Sequence, residues 1–363
     1  MKYNFEKKDF LRGAGITGII GLIALVLALF GLSTGVFDPI GQVIENYRIS
    51  DGFFYTHSIK HRGTEELNPG IVLVDIHDCD SRAGIAEIVR TINEASPKLL
   101  AVDIIFGQAA SFTTEEDSVL VSAFKSSKSL VLAQRFVAGT DGWRVERSFF
   151  ADEIGALEGD VGLDLGLVRS FAPSINIGGN EYPTFIAQVA KQGGLKDTFK
   201  PQLINYSPVK TICLGQEDLP AEDFFKDQIV ILGDKGDLRD YHDVPVLIDG
   251  QARTSGLNII AQSLFTLAPH NGFMNCPDWM ALIIGIILTY LFCTFIASPM
   301  FRIERFNGLW ISIWQVIVLI VLMALTFFLF WAFHINVSLT YWLIGVGLSE
   351  LATELYYFIF VKE

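Results

Sequence analysis

The chain is short of the features that mark common classes of protein. It has only four cysteines in 363 residues. One of them, Cys293, falls inside a long apolar run. That leaves Cys79, Cys213 and Cys276, an odd number, so no disulfide framework is expected and one bridge is the most the sequence allows. No nucleophile elbow, zinc-protease helix, kinase motif set or dinucleotide fingerprint occurs. Nothing therefore proposes a reaction, and neither a metal nor a cofactor is expected. Positive charge is scarce too: 27 Lys and Arg stand against 40 Asp and Glu, a net charge of -13. An acidic balance of this size argues against nucleic acid as a partner. There is no internal repeat and no low-complexity tract.

What the chain has in excess is apolar length. Hydrophobic residues make up 51% of it, and the mean hydropathy is +0.41, above what a soluble domain carries. Four runs meet the membrane-span criterion of roughly 18 or more apolar residues. They are 14–37, 279–297, 309–333 and 340–361. The first is longer than a signal-peptide core and ends in Leu32-Ser33-Thr34-Gly35-Val36-Phe37, a poor cleavage site, so it reads as a retained anchor.

Charge then orients the spans. Between Asp38 and Asn275 lie 33 acids and 20 bases. The seven remaining bases are Lys2, Lys7, Lys8, Arg12, Arg302, Arg305 and Lys362. They fall before the first run, between the second and third, and after the fourth. The positive-inside rule places those segments in the cytoplasm. The expected layout is a cytoplasmic start at 1–13, an extracytoplasmic domain at 38–275, and three further spans.

The acidic domain is organised around Ile71–Asp80. Ile71-Val72-Leu73-Val74 fits a strand buried on both faces, as in a parallel sheet. The run turns polar at Asp75, His77, Asp78 and Asp80. Leu99-Leu100-Ala101-Val102-Asp103 repeats the pattern. Ile85, Ile88, Val89 and Ile92 between them mark one helix face. This is a βαβ unit, and the expected fold is α/β, a mostly parallel sheet with flanking helices. Leu130–Ala133 and Gln228–Leu232 read as further strands, and Leu257, Ile260, Ala261 and Leu264 as the face of a closing helix.

In open α/β sheets ligands sit at the carboxyl ends of strands. Asp75 and Asp103 occupy equivalent ends of what reads as two neighbouring strands. The loop after Gln228–Leu232 holds Asp240, His242 and Asp243, and a charge between two acids would favour the imidazolium of His242. Asp75, Asp103, Asp240, His242 and Asp243 are therefore the candidate ligand-binding residues. The plainer alternative is that these acids cap helices, accept loop N–H groups or form surface ion pairs. The crowded His77-Asp78-Cys79-Asp80 has no recognised zinc spacing and reads as a solvated loop. Gly233–Gly236 lacks the spacing of a standard phosphate loop.

Within the last run, Glu350 and Glu354 share one helix face. Carboxylates in a span face protein interior or water, and Gln315 would lie at the depth of Glu354 if the last two spans are antiparallel. Gln315, Glu350 and Glu354 are thus candidates for contact with another membrane helix. The alternative is a last helix only partly inserted.

One anchor, an α/β block outside and three closely spaced spans resemble the type-2 CHASE domain. The local carriers are Ile71–Asp75, Leu99–Phe106, Glu116–Ala123 with Leu130–Ala133, and Phe225–Gly233. Asp240-Tyr241-His242-Asp243-Val244-Pro245 is similar to the family's Asp-x-His-x-x-Pro loop, and Gly256–Leu267 to its closing helix. The resemblance implies an extracytoplasmic sensory domain of the kind found on bacterial histidine kinases and adenylate cyclases, in the inner membrane. Two departures stand out. The family's Trp-Pro-Trp-type stretch after the first strand is missing. No output domain is expected after the last span, so catalysis by such a domain is not carried over. The expected function is a non-enzymatic sensor that passes a ligand or partner signal through its helices to a separate protein. Its partners would be the lipid bilayer, a small molecule, and a second protein or another copy of the chain. A structural or scaffold subunit of a membrane complex is the alternative.

Overall fold

Ile71–Val74 has no exposed residue because it forms the second half of a central strand. A computed structural model of the chain describes residues 5–34, 49–60, 66–107, 114–140, 142–162, 166–196, 200–220, 223–248, 251–300 and 308–361. They divide into two units, Phe54–Phe273 and the segments Met1–Phe53 with Met274–Glu363.

In the first unit the strands are β1 (Glu66–Asp75), β2 (Leu99–Val102), β3 (Leu130–Gly139), β4 (Gly142–Arg147) and β5 (Leu157–Asp160). Four short ones follow: β6 (Ser170–Phe171), β7 (Ser174–Ile177), β8 (Asn180–Pro183) and β9 (Gln202–Leu203). Then come β10 (Val209–Leu214), β11 (Ile229–Gly233), β12 (Tyr241–Ile248) and β13 (Gln251–Ser255). The main sheet runs β10-β1-β11-β2-β3, with β4 and β5 both paired to β3. All of its ladders are parallel except β3 with β4.

The sheet is the middle of three layers. Alternate residues Val72, Val74, Leu100, Val102, Leu132, Val230 and Leu232 face Ile85, Ile88, Val89 and Ile92 of helix Arg82–Glu94 and Leu120 and Phe124 of helix Thr114–Lys125. Helices Phe185–Gln192 and Gly256–Leu267 pack on the other face. Each starts from a hydroxyl cap, Thr184 or Ser255, whose oxygen accepts from an N–H three residues on.

Two sequence patterns are overridden. First, Asn68-Pro69-Gly70 has the composition of a turn. Instead β1 runs through it, pairing Glu66 and Leu67 with β10 before its register slips and resumes at Val72. Pro69 has no N–H to give the ladder and Gly70 sits at a φ of +78°, which accounts for the slip. Second, the β1 and β2 strands are not neighbours. β11 lies between them, pairing Leu73 with Ile231 on one side and Leu100 with Val230 on the other. It is buried at all five positions, and a strand without a polar face belongs inside a sheet.

The second unit holds four helices long and apolar enough to cross a membrane: Lys7–Leu27, Asp278–Ala297, Leu309–Phe333 and Thr340–Phe360. They share a core of Ile16, Ile20, Phe292, Ile311, Trp342 and Val346. Small residues let them approach closely. A Cβ at Gly13 would strike Thr294, and one at Gly345 would strike Thr289. The second helix loosens into a π-turn at Cys293–Ala297, just ahead of Pro299. The fourth is broken at Leu348, between Thr340–Gly347 and Ser349–Phe360.

Candidate functional site

A cleft of about 500 Å³ opens at the carboxyl ends of β2, β5 and β11, beside Ala133 and Arg135 of β3, within the size range of small-molecule sites. Phe171, Ile175, Ile186 and Ile260 supply an apolar wall, and Asp103, Arg135, Asp234 and Asp240 supply charge.

Asp103 follows directly from β2. Its main-chain N–H donates to Leu232 O at 2.8 Å, which fixes the residue against β11. Its carboxylate makes no hydrogen bond to a described residue. Burial raises its pKa well above the ordinary carboxylate range, the charge of Asp240 adds to this, and Arg135 opposes it. Asp240 reaches the cleft from the turn Leu238–Asp240 after β11. Its Oδ2 accepts from Gly256 N at 3.0 Å, the first residue of a helix, where a negative charge is favoured. Its Oδ1 lies 3.4 Å from His242 Nε2.

The other charges around the rim hold loops in place. Asp234 Oδ1 accepts from Gly236 N at 2.9 Å and Asp237 N at 3.1 Å, and pairs with His77 Nδ1 at 2.9 Å. That hydrogen bond, with the Asp234 charge, raises the His77 pKa. Asp160 is buried and spends both oxygens on Phe136 N and Gly162 N, at 3.0 Å each. Asp237 is drawn down to about 2 by its hydrogen bonds with Arg239.

Of the five candidate ligand residues, Asp103 and Asp240 line the cleft together. Asp75 is absent from its lining, and its Oδ1 accepts from His77 N at 3.1 Å and Lys235 N at 2.9 Å. His242 and Asp243 lie on β12, opposite Thr254 and Arg253 of β13, and Asp243 Oδ1 is 3.2 Å from Arg253 Nε. The expected polar loop there is a short turn and a strand. Arg135, Asp160 and Asp234 escaped the sequence reading. Asp160 ends β5, where the carboxyl-edge rule applied to every strand would have found it, whereas Arg135 lies inside β3, which runs on to Gly139.

In the membrane unit, Gln315 Nε2 donates to Val346 O at 2.9 Å, Gly347 O at 3.3 Å and Ser349 Oγ at 2.9 Å. Its partner is the helix break, not Glu354 as the depth argument expected; Val346 O there also accepts from Ser349 Oγ at 2.6 Å. Ser312 Oγ donates to Glu350 Oε2 at 2.7 Å. Glu354 is exposed and bonds to no described residue. The four cysteines are free thiols.

A three-layer α/β domain with a ligand-sized cleft, joined to four span-length helices, defines a membrane-anchored module of the sensing class. Residues 22–296 match the CHASE2 domain, and the chain belongs to that family. CHASE2 domains are extracytoplasmic, non-catalytic sensory modules, so this is a multi-pass membrane protein with an extracytoplasmic sensory domain. No curated protein and no solved structure matches the chain.

Proposed function

We propose that the extracytoplasmic domain senses a small amino compound in the cleft of Asp103 and Asp240, and that a separate protein reads the bound state through the membrane helices. The observation carrying this reading is Asp103, a carboxylate with no side-chain hydrogen bond to a described residue, lining a ligand-sized cleft beside a second carboxylate. A ligand ammonium would serve both and favour the ionised form of Asp103. Arg135 offers a planar fork for an acceptor on the same ligand. Asp75, His242 and Asp243 support the loops that present the two acids.

The basic segments at 1–13 and 302–305 favour a cytoplasmic side for both, with the domain in the periplasm of a bacterial inner membrane. Glu354 is the proposed seat of a partner helix or second copy, since an exposed carboxylate on a span-length apolar helix is costly against lipid.

The test is thermal unfolding of the purified full chain against the common amino acids and short polyamines. A compound that raises the midpoint, and loses that effect in Asp103→Asn, supports the reading. Silence across the panel at millimolar concentration refutes it. For the relay, membrane cross-linking that captures a second protein from parent chain and Glu354→Leu equally would remove Glu354 from the contact.

A further inference from the structure

The hairpin of β3 and β4 leaves one strand edge without a neighbour. β4 pairs with β3 from Gly142 opposite Gly139 to Arg147 opposite Gln134. β5 lies on the other side of β3, and two bonds show it. Gln134 O accepts from Val161 N at 2.9 Å, and Phe136 N donates to Asp160 Oδ1 at 3.0 Å. The main-chain groups of Gln134 and Phe136 therefore point away from β4. Those of Arg135, Val137 and Gly139 point towards it, where they meet Glu146, Arg144 and Gly142. By the alternation of an antiparallel ladder, Trp143, Val145 and Arg147 turn their N–H and C=O groups to the opposite edge. Among the described residues no strand pairs with that edge, and no loop main chain bonds to these three residues.

The side chains on this edge are exposed as well. Trp143 is 56% exposed and Val145 44%, and strand alternation puts them on one face. Arg144 and Glu146 project from the other face, with Arg144 Nη2 2.6 Å from Glu146 Oε1. An open edge of this kind is a template for another strand.

Charge says which strand fits, and it is β4 itself. Take two copies laid antiparallel about a two-fold axis at Val145. Val145 then faces Val145 and Trp143 faces Arg147, in the hydrogen-bonded pairs. Arg144 of each copy faces Glu146 of the other, in the pairs where side chains stand closest. The neighbouring registers of the same hydrogen-bond phase set Arg144 against Arg144, or Glu146 against Glu146, and like charges directly opposite are destabilising. Trp143 beside Arg147 adds a cation–π combination.

We propose that β4 is a self-association edge, through which two copies of the chain join their main sheets in this one register. A single short strand edge buries less than the roughly 1,200 Å² of a stable interface. The contact therefore draws on the effective concentration that anchoring in one membrane supplies.

The experiment is oxidative cross-linking of Val145→Cys, as the full chain in native membranes. Paired Cα atoms at this position stand about 5.5 Å apart, within reach of a disulfide. The expected product has twice the mass of the chain and is reversed by a reducing agent. Arg144→Glu in the Val145→Cys background should cut its yield about tenfold, two attractive pairs having become repulsive. Adding Glu146→Arg exchanges the charges and should restore the yield. Unfolding midpoints matched to Val145→Cys show that the charge variants are folded. Leu157, 42% exposed at the start of β5 on the far side of β3, reports collision alone when changed to cysteine. A Val145→Cys product no stronger than that of the parent or of Leu157→Cys overturns the proposal. So does a product of another mass, which marks the edge as a seat for a different protein. A yield indifferent to Arg144→Glu, or not restored by the charge exchange, overturns the register.

Discussion

Replacing Gly256 with alanine tests the geometry that presents Asp240 to the cleft. The N–H of Gly256 donates to Asp240 Oδ2 at 3.0 Å, and the missing side chain is what allows the carboxylate so close. A Cβ would stand 2.8 Å from Asp240 Oδ1, and nearer still to Oδ2. Both are inside van der Waals contact, so the carboxylate must swing away. The loss is a hydrogen bond to a charged acceptor, about 1.5–3 kcal/mol, with about 0.3–1 kcal/mol from the helix N-terminus. Alanine recovers about 0.4–1 kcal/mol by restricting the unfolded chain, since Gly256 has no positive φ. The net expectation is a loss of roughly 1.5–3 kcal/mol, and for a domain of this size a fall in Tm of roughly 3–12 °C. The assay is thermal unfolding of Gly256→Ala in the parent and in an Asp240→Ala background. With the carboxylate gone there is nothing to strike, so the second measurement should show no cost, or a slight gain. An equal cost in both backgrounds would refute the argument, because the two residues would then be uncoupled.

Three further outcomes follow from particular contacts. Asp103 has a raised pKa in the folded protein, so its favourable contribution is complete below about pH 4 and is lost as pH rises through the folded value. Asp103→Asn should therefore be more stable than the parent at neutral pH, with the gap closing towards about pH 4 in denaturant titrations; a gap independent of pH contradicts this. Arg82 is 4% exposed and pairs with Asp117, with the Phe149 ring 5.1 Å from its guanidinium. Arg82→Met should cost about 3 kcal/mol by urea unfolding, because it strands a carboxylate. In the membrane unit, Gln315→Leu removes donors to Val346 O and Ser349 Oγ, and should lower resistance to unfolding in mixed micelles by about 1 kcal/mol.

Much of the architecture was legible before any coordinates. The runs Ile71–Val74 and Leu99–Val102 announced buried strands, and the spacing of Ile85, Ile88, Val89 and Ile92 a helix face, and all of these residues are buried in the core. The four long apolar runs, the α/β class and the CHASE2 resemblance were legible for the same reason. The candidate site was legible only in part. The sequence pointed to the carboxyl edge of the sheet, but it could not say which acids there face open space and which are spent on loop N–H groups. Asp75 and Asp103 occupy like positions in the sequence pattern. One holds two main-chain donors, and the other lines the cleft.

What the sequence by itself determined is what depends on near neighbours along the chain: strand and helix periodicity, span length, charge sorting, and the class of fold. These follow from spacing and side-chain chemistry alone. Only the tertiary structure decided the insertion of β11 between β1 and β2, the meeting of Asp103, Arg135 and Asp240 around one cleft, and the pairing of Gln315 with a helix break. Each joins residues far apart in the chain. Their meeting is set by how buried faces compete for the interior, and that competition involves the whole domain at once.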